Sequence, residues 1–396
     1  MRLILTPMKS VKPTTDHLTL ETPNGETPLA YVRQDDIIYL ISSGYEARWP
    51  SHILRQRKAA ISIKGSRLEA DAQLVTDQNE RDAIIRKFTD KYSQSEVSAW
   101  YSGYSRIIKL NLAGQITGRG DDSNYYDWLE SEFDSIAYEY DRHIFGNTIN
   151  TMLRERSLAL MARTFVKSGK LLEIGSGSGT ETIELLKAGH EIVSIDISSK
   201  MLEVLESKAR VNGVETGLQT LKLRASELEK VLDQFGDHYF DGIYSTYGAL
   251  NCEPDINFLP EMARRALKPG GKMVVGIYNK LCAFEIAVYL FRFKIRNAFF
   301  RLHSMIPEGK SRFCVDTYAY TLPHILSLFD RYFNVESVEG LPVLIPPSNF
   351  VKYMNKFNRK FDTLKDIDRK IGKIWPMTML GDHFLVSFVL NERCVL

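Results

Sequence analysis

The sequence predicts an α/β protein: a doubly wound parallel sheet preceded by a small β-barrel. Three observations predict it. Short alternating runs broken by turn residues fill residues 1–118. From Lys170 onward, apolar runs alternate with helix-length segments, the pattern of parallel strands joined by crossovers. Between the first of those runs and the first helix stands "GSGSG", with three glycines in five positions. Such a turn lets the backbone approach a ligand closely.

The elements follow in order. "HLTLETPNGETPLAYV" reads as strand, turn, strand, with Asn24-Gly25 as the tight-turn signal. "DDIIYLISS", "KAAISIKGSRLEADAQLV" and "SRIIKLNLAGQITGR" read as further strands, and "DQNERDAIIRKFTDKYS" as a helix capped by Asp77. Several short antiparallel strands with a helix or two suggest a barrel. The chain turns polar at "GRGDDSN", Gly118 to Asn124, so the boundary falls there, between domains 1–118 and 119–396. A helical, aromatic stretch, "YYDWLESEFDSIAYEYDRHIFGNTINTMLRERSLALMARTF", comes next. "KLLEI", "EIVSID", "LQTLKLRAS", "FDGIYST" and "KMVVGIYN" are the strands of the sheet. Between them, "SSKMLEVLESKARVNG" is a helix with a Ser cap and a Gly stop, and "NFLPEMARRALKPGG" a helix closed by Pro-Gly-Gly. "FNVESVEG" and "HFLVSFVL" are late strand candidates. The core sheet is expected over residues 169–280 and 333–390, with a helical cap or lid at 281–330 and 345–380.

Composition narrows the function. The 396 residues carry a formal net charge of +2, which gives no global drive toward nucleic acid. No basic stripe and no Asp/Asn-Pro-Pro-Tyr motif point to nucleic-acid methylation. Cys252, Cys282, Cys314 and Cys394 are scattered without metal-ligand spacing, so no metal site is expected. The start lacks the apolar core of a signal peptide, and no run approaches a membrane span. A cytoplasmic protein is the expectation.

Gly175, Gly177 and Gly179, with Ser176 in the turn, sit where ligands bind in open parallel sheets, at the carboxyl ends of the strands. The spacing GxGxG differs from the dinucleotide GxGxxG, where Thr180 would have to be glycine, and no Walker lysine follows. Glu173, two residues before the turn, would repel a pyrophosphate and favour an ammonium or sulfonium. Asp196 ends the next strand about 20 residues on, where an acid binds ribose hydroxyls. Together these describe S-adenosylmethionine (SAM). A tight turn without ligand and a nicotinamide or flavin site are the other readings.

On these residues, Lys170 to Asn279 resembles the class I SAM-dependent methyltransferases, which have a Rossmann-like fold. "LLEIGSGSG" resembles their first motif, "VSIDISSKML" their ribose-binding strand and helix, and "RALKPGGKMVV" the turn before their fifth strand. "FDSIAYEYDRHI", "FDGIYSTYGALNCEPD", "NKLCAFE" and "GDHFL" are similar to a bacterial subgroup of mostly unassigned acceptor. The resemblance implies that Ser226 and Glu227 flank the adenine and that Ser245 lies beside the sulfonium. It also implies that Ile197 and Met201 pack near the adenosine, and that the helix bearing Tyr140 and His143 closes over the cofactor. Methyl transfer from a sulfonium is an in-line displacement that chiefly needs alignment. A base is needed only where the acceptor loses a proton. Tyr247, Asn251, His143, Glu285 and His383 are the candidates, each with a structural reading beside the catalytic one.

"FEIAVYLFRFKIRNAFFRLH", Phe284 to His303, is apolar almost all round, so it is expected to be largely buried, as a lid over a small, partly apolar or anionic acceptor or as plain packing; membrane contact is the third reading. The first domain resembles the split-barrel flavin or deazaflavin-dependent reductases through "HLTLETPNGETPLAYVRQDDIIYLISSG", Trp49 and "LRQRKAAISIKGSRLEADAQLV". It departs from them at "TPNGET", where a basic phosphate-binding loop would stand and Glu26 stands instead. FMN and deazaflavin are therefore not expected to bind, and a role in homodimer formation or substrate docking is. A reductase fused to a methyltransferase and a non-catalytic SAM-binding module are the alternative functions.

Overall fold

The computed structural model describes residues 17–22, 25–34, 37–42, 49–63, 66–92, 94–100, 106–112, 122–303, 305–306, 315–350 and 361–391. Two compact units divide between Ser131 and Glu132, inside the helix Asp122–Ile136. The polar stretch at Gly118 to Asp121, where the sequence places the boundary, lies outside the described residues.

The first unit is a closed antiparallel barrel of six strands: β1 (His17–Thr22), β2 (Gly25–Gln34), β3 (Ile37–Ile41), β4 (Lys58–Ile63), β5 (Ser66–Leu74) and β6 (Ile107–Asn111). Their order is β1-β2-β3-β6-β5-β4, and β1 pairs back onto β4. Closure leaves no edge strand to aggregate. Thr22 pairs with Gly25, which has φ 111°. Asp77 caps the helix Gln78–Tyr92 by accepting from the Glu80 N–H at 2.8 Å. That helix lays Ile84, Phe88 and Tyr92 against Val32, Tyr39 and Ile107. The Tyr92 hydroxyl bonds both backbone groups of Tyr31 at 3.0 Å, fastening helix to strand. Arg57, just before β4, is paired with Asp127.

The second unit is a seven-stranded sheet: β7 (Lys170–Ile174), β8 (Glu191–Asp196), β9 (Leu218–Lys222), β10 (Phe240–Ser245), β11 (Leu267–Tyr278), β12 (Phe333–Leu341) and β13 (His383–Leu390). The order is β12-β13-β11-β10-β7-β8-β9. β7 to β11 pair in parallel, while β13 runs antiparallel between β11 and β12. β13 therefore starts, at His383, opposite Tyr278 at the carboxyl end of β11. One face of the sheet buries Leu172, Ile174, Val275 and Phe388, the other Leu171, Tyr244, Val274 and Leu385. This is the two-sided burial that near-continuous apolar strands imply. Ser198 caps the helix Ser199–Asn212 and Gly213, at φ 67°, ends it. The helix Leu259–Ala266 stops earlier than its sequence suggests, because Pro269, Gly270 and Gly271 belong to the start of β11.

The aromatic-basic segment departs from expectation. It is not one buried helix. The helix Ala283–Phe291 ends, Phe293 turns left-handed at φ 55°, and a short helix, Ile295–Ala298, follows. Phe291 is 87% exposed, Phe293 92% and Ile295 65%. Phe284 and Tyr289 pack on Phe350, with ring centroids 6.1 and 5.9 Å apart, and the side bearing Phe291 and Phe293 is left open. The Pro-rich run "GLPVLIPPSNF" is anchored through Asp368, whose buried carboxylate accepts the N–H groups of Val343, Leu344 and Ile345 at 2.6–3.0 Å. Residues 351–360, within the stretch expected to form part of the cap, lie outside the described residues. Among the described residues, no helix is long and apolar enough to cross a membrane, and no cluster of metal-ligating side chains stands together.

Candidate functional site

The glycine turn lies between the end of β7 and the helix Thr180–Lys187. Gly175, Gly177 and Gly179 all have positive φ, at 75°, 52° and 79°. A side chain would be strained at each, and that requirement selects glycine. The three differ in what faces them. A Cβ on Gly175 would fall 2.1 Å from the Ala249 Cβ, and one on Gly179 would fall 2.2 Å from the Leu205 Cδ1. One on Gly177 would meet only the Tyr140 ring, at 3.8 Å. The outer glycines thus face the protein's own core, and the middle one faces outward beside Tyr140.

Asp196, at the end of β8, reaches back to this turn. Its carboxylate accepts the Gly177 N–H at 2.8 Å and the Ser198 N–H at 2.9 Å. Gly175 and Ser176 donate their N–H groups to the Ile195 carbonyl, so the turn and the end of β8 form one backbone unit. Burial pushes the Asp196 carboxyl up to about 6, against the two N–H bonds that favour its charge. Ser198 donates its hydroxyl to Asp134 at 2.6 Å, and Ser178 donates to Asp141, which also pairs with Lys208 at 2.7 Å. These two acids, on the helical stretch before the sheet, tie it over the turn; no local signal in the sequence marks them, because their partners lie 64 and 37 residues away.

If Asp196 receives ribose hydroxyls, the carboxylate is the form that binds. S-adenosylhomocysteine should then bind with full affinity above pH 7 and weaken below pH 6, by up to roughly tenfold per pH unit as one proton competes. Calorimetry at pH 8 and pH 5 checks this, and an affinity flat across that range would remove Asp196 from the ligand's contacts.

Glu173 stands otherwise than its sequence position suggests. Its carboxyl is only 3% exposed and turns inward, accepting from Thr182 and Ser194, both at 2.6 Å. Burial pushes it up to about 7, the two hydroxyls opposing and nearby Glu181 adding to the rise. It braces the helix start against β8, and a buried group spent this way does not reach a ligand's charge. Ser245 is similar: its hydroxyl donates to the Ile174 carbonyl at 2.8 Å and stitches β10 to β7. Ser226 offers its backbone N–H to Glu253 at 3.2 Å, and Glu227 closes its own turn by accepting the Arg224 N–H and pairing with Lys230. Ile197 is half-buried just past Asp196, and Met201 is buried in the first turn of the helix that follows.

Of the acid-base candidates, Asn251 is fully buried with its amide spent on backbone. Its Oδ1 accepts the Tyr278 N–H at 2.9 Å, and its Nδ2 donates to the Tyr318 carbonyl at 2.7 Å. That is a clamp on the end of β11, not a group facing a substrate. Glu285 is buried and held by the Arg301 Nε at 2.5 Å and by Asn349 at 2.9 Å, which makes it an ion-pair partner and not a base. The side chain of His143 lies outside the described residues.

Tyr247 and His383 do come together. Tyr247 adopts φ 51°, rare for a residue with a side chain and costly without a reason. Its hydroxyl donates to the Leu153 carbonyl, Arg154 lies 4.8 Å over its ring, and burial holds its phenol well above the usual range. The His383 ring packs edge-on to Tyr247 at 5.6 Å and to Tyr278 at 5.4 Å. His383 Nδ1 lies 3.0 Å from Asp382 Oδ2, and the other oxygen of Asp382 accepts from Arg301 at 2.8 Å. Glu285, Arg301, Asp382 and His383 thus form one buried chain at the carboxyl edge of the sheet. Arg301 is the member sequence reasoning missed: in a run of aromatic and basic residues nothing distinguishes the one cation that turns inward.

Comparison with known proteins bears on this arrangement. Residues 172–275 match the family model described as a methyltransferase domain. The chain is 23% identical over 154 residues to the tRNA 5-carboxymethoxyuridine methyltransferase of Escherichia coli, covering 38% of this chain and 57% of that protein. It is 29% identical over 173 residues to the demethylmenaquinone methyltransferase of Mycobacterium tuberculosis, covering 41% of this chain and 66% of that one. The matches therefore span less than two thirds of those relatives. Among solved structures, the 1,6-didemethyltoxoflavin-N1-methyltransferase of Burkholderia thailandensis aligns with a TM-score of 0.42 and 15% identity, over 70% of this chain and 93% of that one.

Proposed function

We propose that this chain, whose residues 172–275 form a methyltransferase domain of the class I, SAM-dependent type, methylates a small molecule. The observation that carries the reading is the outward-facing Gly177, with Asp196 on its N–H, at the carboxyl edge of a parallel sheet. Bound there, SAM supplies an electrophilic methyl group on a sulfonium. The chain's own residues have three tasks. Asp196 takes the ribose hydroxyls, as an acid ending the second strand does in such sheets. Tyr140 covers the turn from the helical side. His383, held at Nδ1 by Asp382 and packed against Tyr247, is the imidazole that would take the acceptor's proton where the acceptor loses one, as an oriented imidazole does in general-base catalysis. Both relatives carry methyltransferase names, one acting on a tRNA nucleoside and one on a quinone precursor. A small acceptor is favoured over nucleic acid by the near-balanced charge of the chain.

The test is to incubate the protein with SAM tritiated at the methyl group and a fractionated cell extract. Label should enter the low-molecular-weight fraction. Label only in RNA, DNA or protein would overturn the small-molecule reading, and label in no fraction would leave a SAM-binding module without transfer. With the labelled acceptor in hand, His383→Asn should slow transfer on the order of tenfold to a hundredfold and leave SAM affinity intact. An unchanged rate would remove His383 from the chemistry.

A further inference from the structure

The segment after β11 makes an excursion from the sheet edge and returns to it. It leaves at Glu285 and comes back at Arg301, and those two buried side chains bond to one another at 2.5 Å. Near the base, Tyr289 packs edge-on to Phe300 at 6.4 Å, and Ala298 is buried. The tip between them is held by its own backbone: Phe293 and Lys294 donate to the Leu290 and Tyr289 carbonyls, both at 2.9 Å, and Ala298 donates to Lys294 at 3.1 Å. It is therefore an ordered projection with a fixed base.

What the tip presents is unusual for a surface facing water. Phe291, Phe293 and Ile295 are mostly exposed, and Leu290, Phe299 and Leu302 are partly so. Burying side chains of this size is favourable, so leaving several exposed together marks a contact surface. Arg292 and Lys294 alternate with them and are exposed as well. From Ile286 to His303 the sequence contains no Asp or Glu. Lys294, exposed at the tip, thus has no acid within its own segment. Aromatic side chains interleaved with Arg and Lys suit the interface of an anionic bilayer. There the rings enter the headgroup and acyl boundary and the cations meet lipid phosphates. A protein partner's apolar face would match the phenylalanines but give no reason for the alternating cations.

We propose that the projection Leu290–Leu302 docks the protein on anionic lipid surfaces, with Phe291, Phe293 and Ile295 inserting and Arg292 and Lys294 pairing with headgroups. Because Arg301 ties the base of the projection to Asp382, docking holds the His383 edge of the sheet close to the lipid. The proposal does not depend on methyl transfer, and its test reads binding alone. The full chain is sedimented with vesicles of phosphatidylcholine alone and of phosphatidylcholine mixed with phosphatidylglycerol. It should sediment with the mixed vesicles and stay in solution with the neutral ones. Lys294→Glu should weaken the association at least roughly fivefold, the effect of one cation near an anionic surface. The double variant Phe291→Ser, Phe293→Ser should abolish it with circular dichroism unchanged, since neither side chain is in the core. Failure of the wild type to sediment with mixed vesicles, or full binding by the double variant, overturns the proposal. So does a dimer in solution that the double variant dissociates while vesicle binding is absent, because a second copy of the chain would then cover the patch.

Discussion

Gly177→Leu is expected to abolish S-adenosylhomocysteine binding, lowering affinity by more than about a thousandfold, which is about 4 kcal/mol. The reason lies in the difference among the three glycines. Gly175 and Gly179 have protein on the side where a Cβ would project, so substituting either disturbs the fold before it disturbs a ligand. Gly177 has only the Tyr140 ring, at ordinary contact distance. A leucine there occupies space over the turn and costs the fold only the left-handed backbone penalty, roughly 1–2 kcal/mol. Binding and stability should therefore separate. Calorimetry should find no heat of binding, while the denaturant midpoint moves modestly. Gly175→Ala, whose Cβ would meet the Ala249 Cβ at 2.1 Å, should do the reverse and lower the midpoint more. Full affinity in Gly177→Leu would mean that the ligand does not lie over this turn.

Arg301→Met should destabilise the second unit by about 3–5 kcal/mol, because it leaves two buried carboxylates, Glu285 and Asp382, without their cation. In a unit of this size that corresponds to a fall in melting temperature of roughly 10 °C. The pair itself need not be a net gain over an apolar core; the loss comes from breaking it on one side. Arg301→Lys keeps the charge but not the planar fork that reaches Glu285 through Nε and Asp382 through Nη2 at once, so it should fall between the two. Asp382 also orients His383, so both variants should lower the transfer rate beyond what their stability explains. A loss below about 1 kcal/mol in Arg301→Met would mean that the carboxyls take up protons when the cation is removed.

Features that depend on near neighbours along the chain are legible in the order of residues. Asp77 and Ser198 are read as caps from their position before helical runs, and they cap. Asn24-Gly25 is read as the signal that separates two strands, and Gly25 opens β2 opposite Thr22. Gly175, Gly177 and Gly179 are read as a turn in which the backbone comes close to a ligand; the structure shows a turn there, with positive φ at all three. Asp196 is legible because a strand of known length ends there, beside that turn. Local conformational preference and strand periodicity act over a few residues, so they leave marks in the order of residues.

Where buried polar groups find partners, and which side of an apolar segment is covered, emerges only in three dimensions. Glu173 looks like a group aimed at a ligand until Thr182 and Ser194 are seen to take its carboxylate. Glu285 and His383 look like separate candidates, 98 positions apart in the numbering. Arg301 and Asp382 join them into one cluster across separations of 16 and 81 residues. Phe291 and Phe293 look like core and lie in the open, because periodicity states which residues are apolar but not whether the sheet has room beside it. A buried charge must be paired and a buried surface must be covered, and packing in three dimensions chooses the partner and the cover.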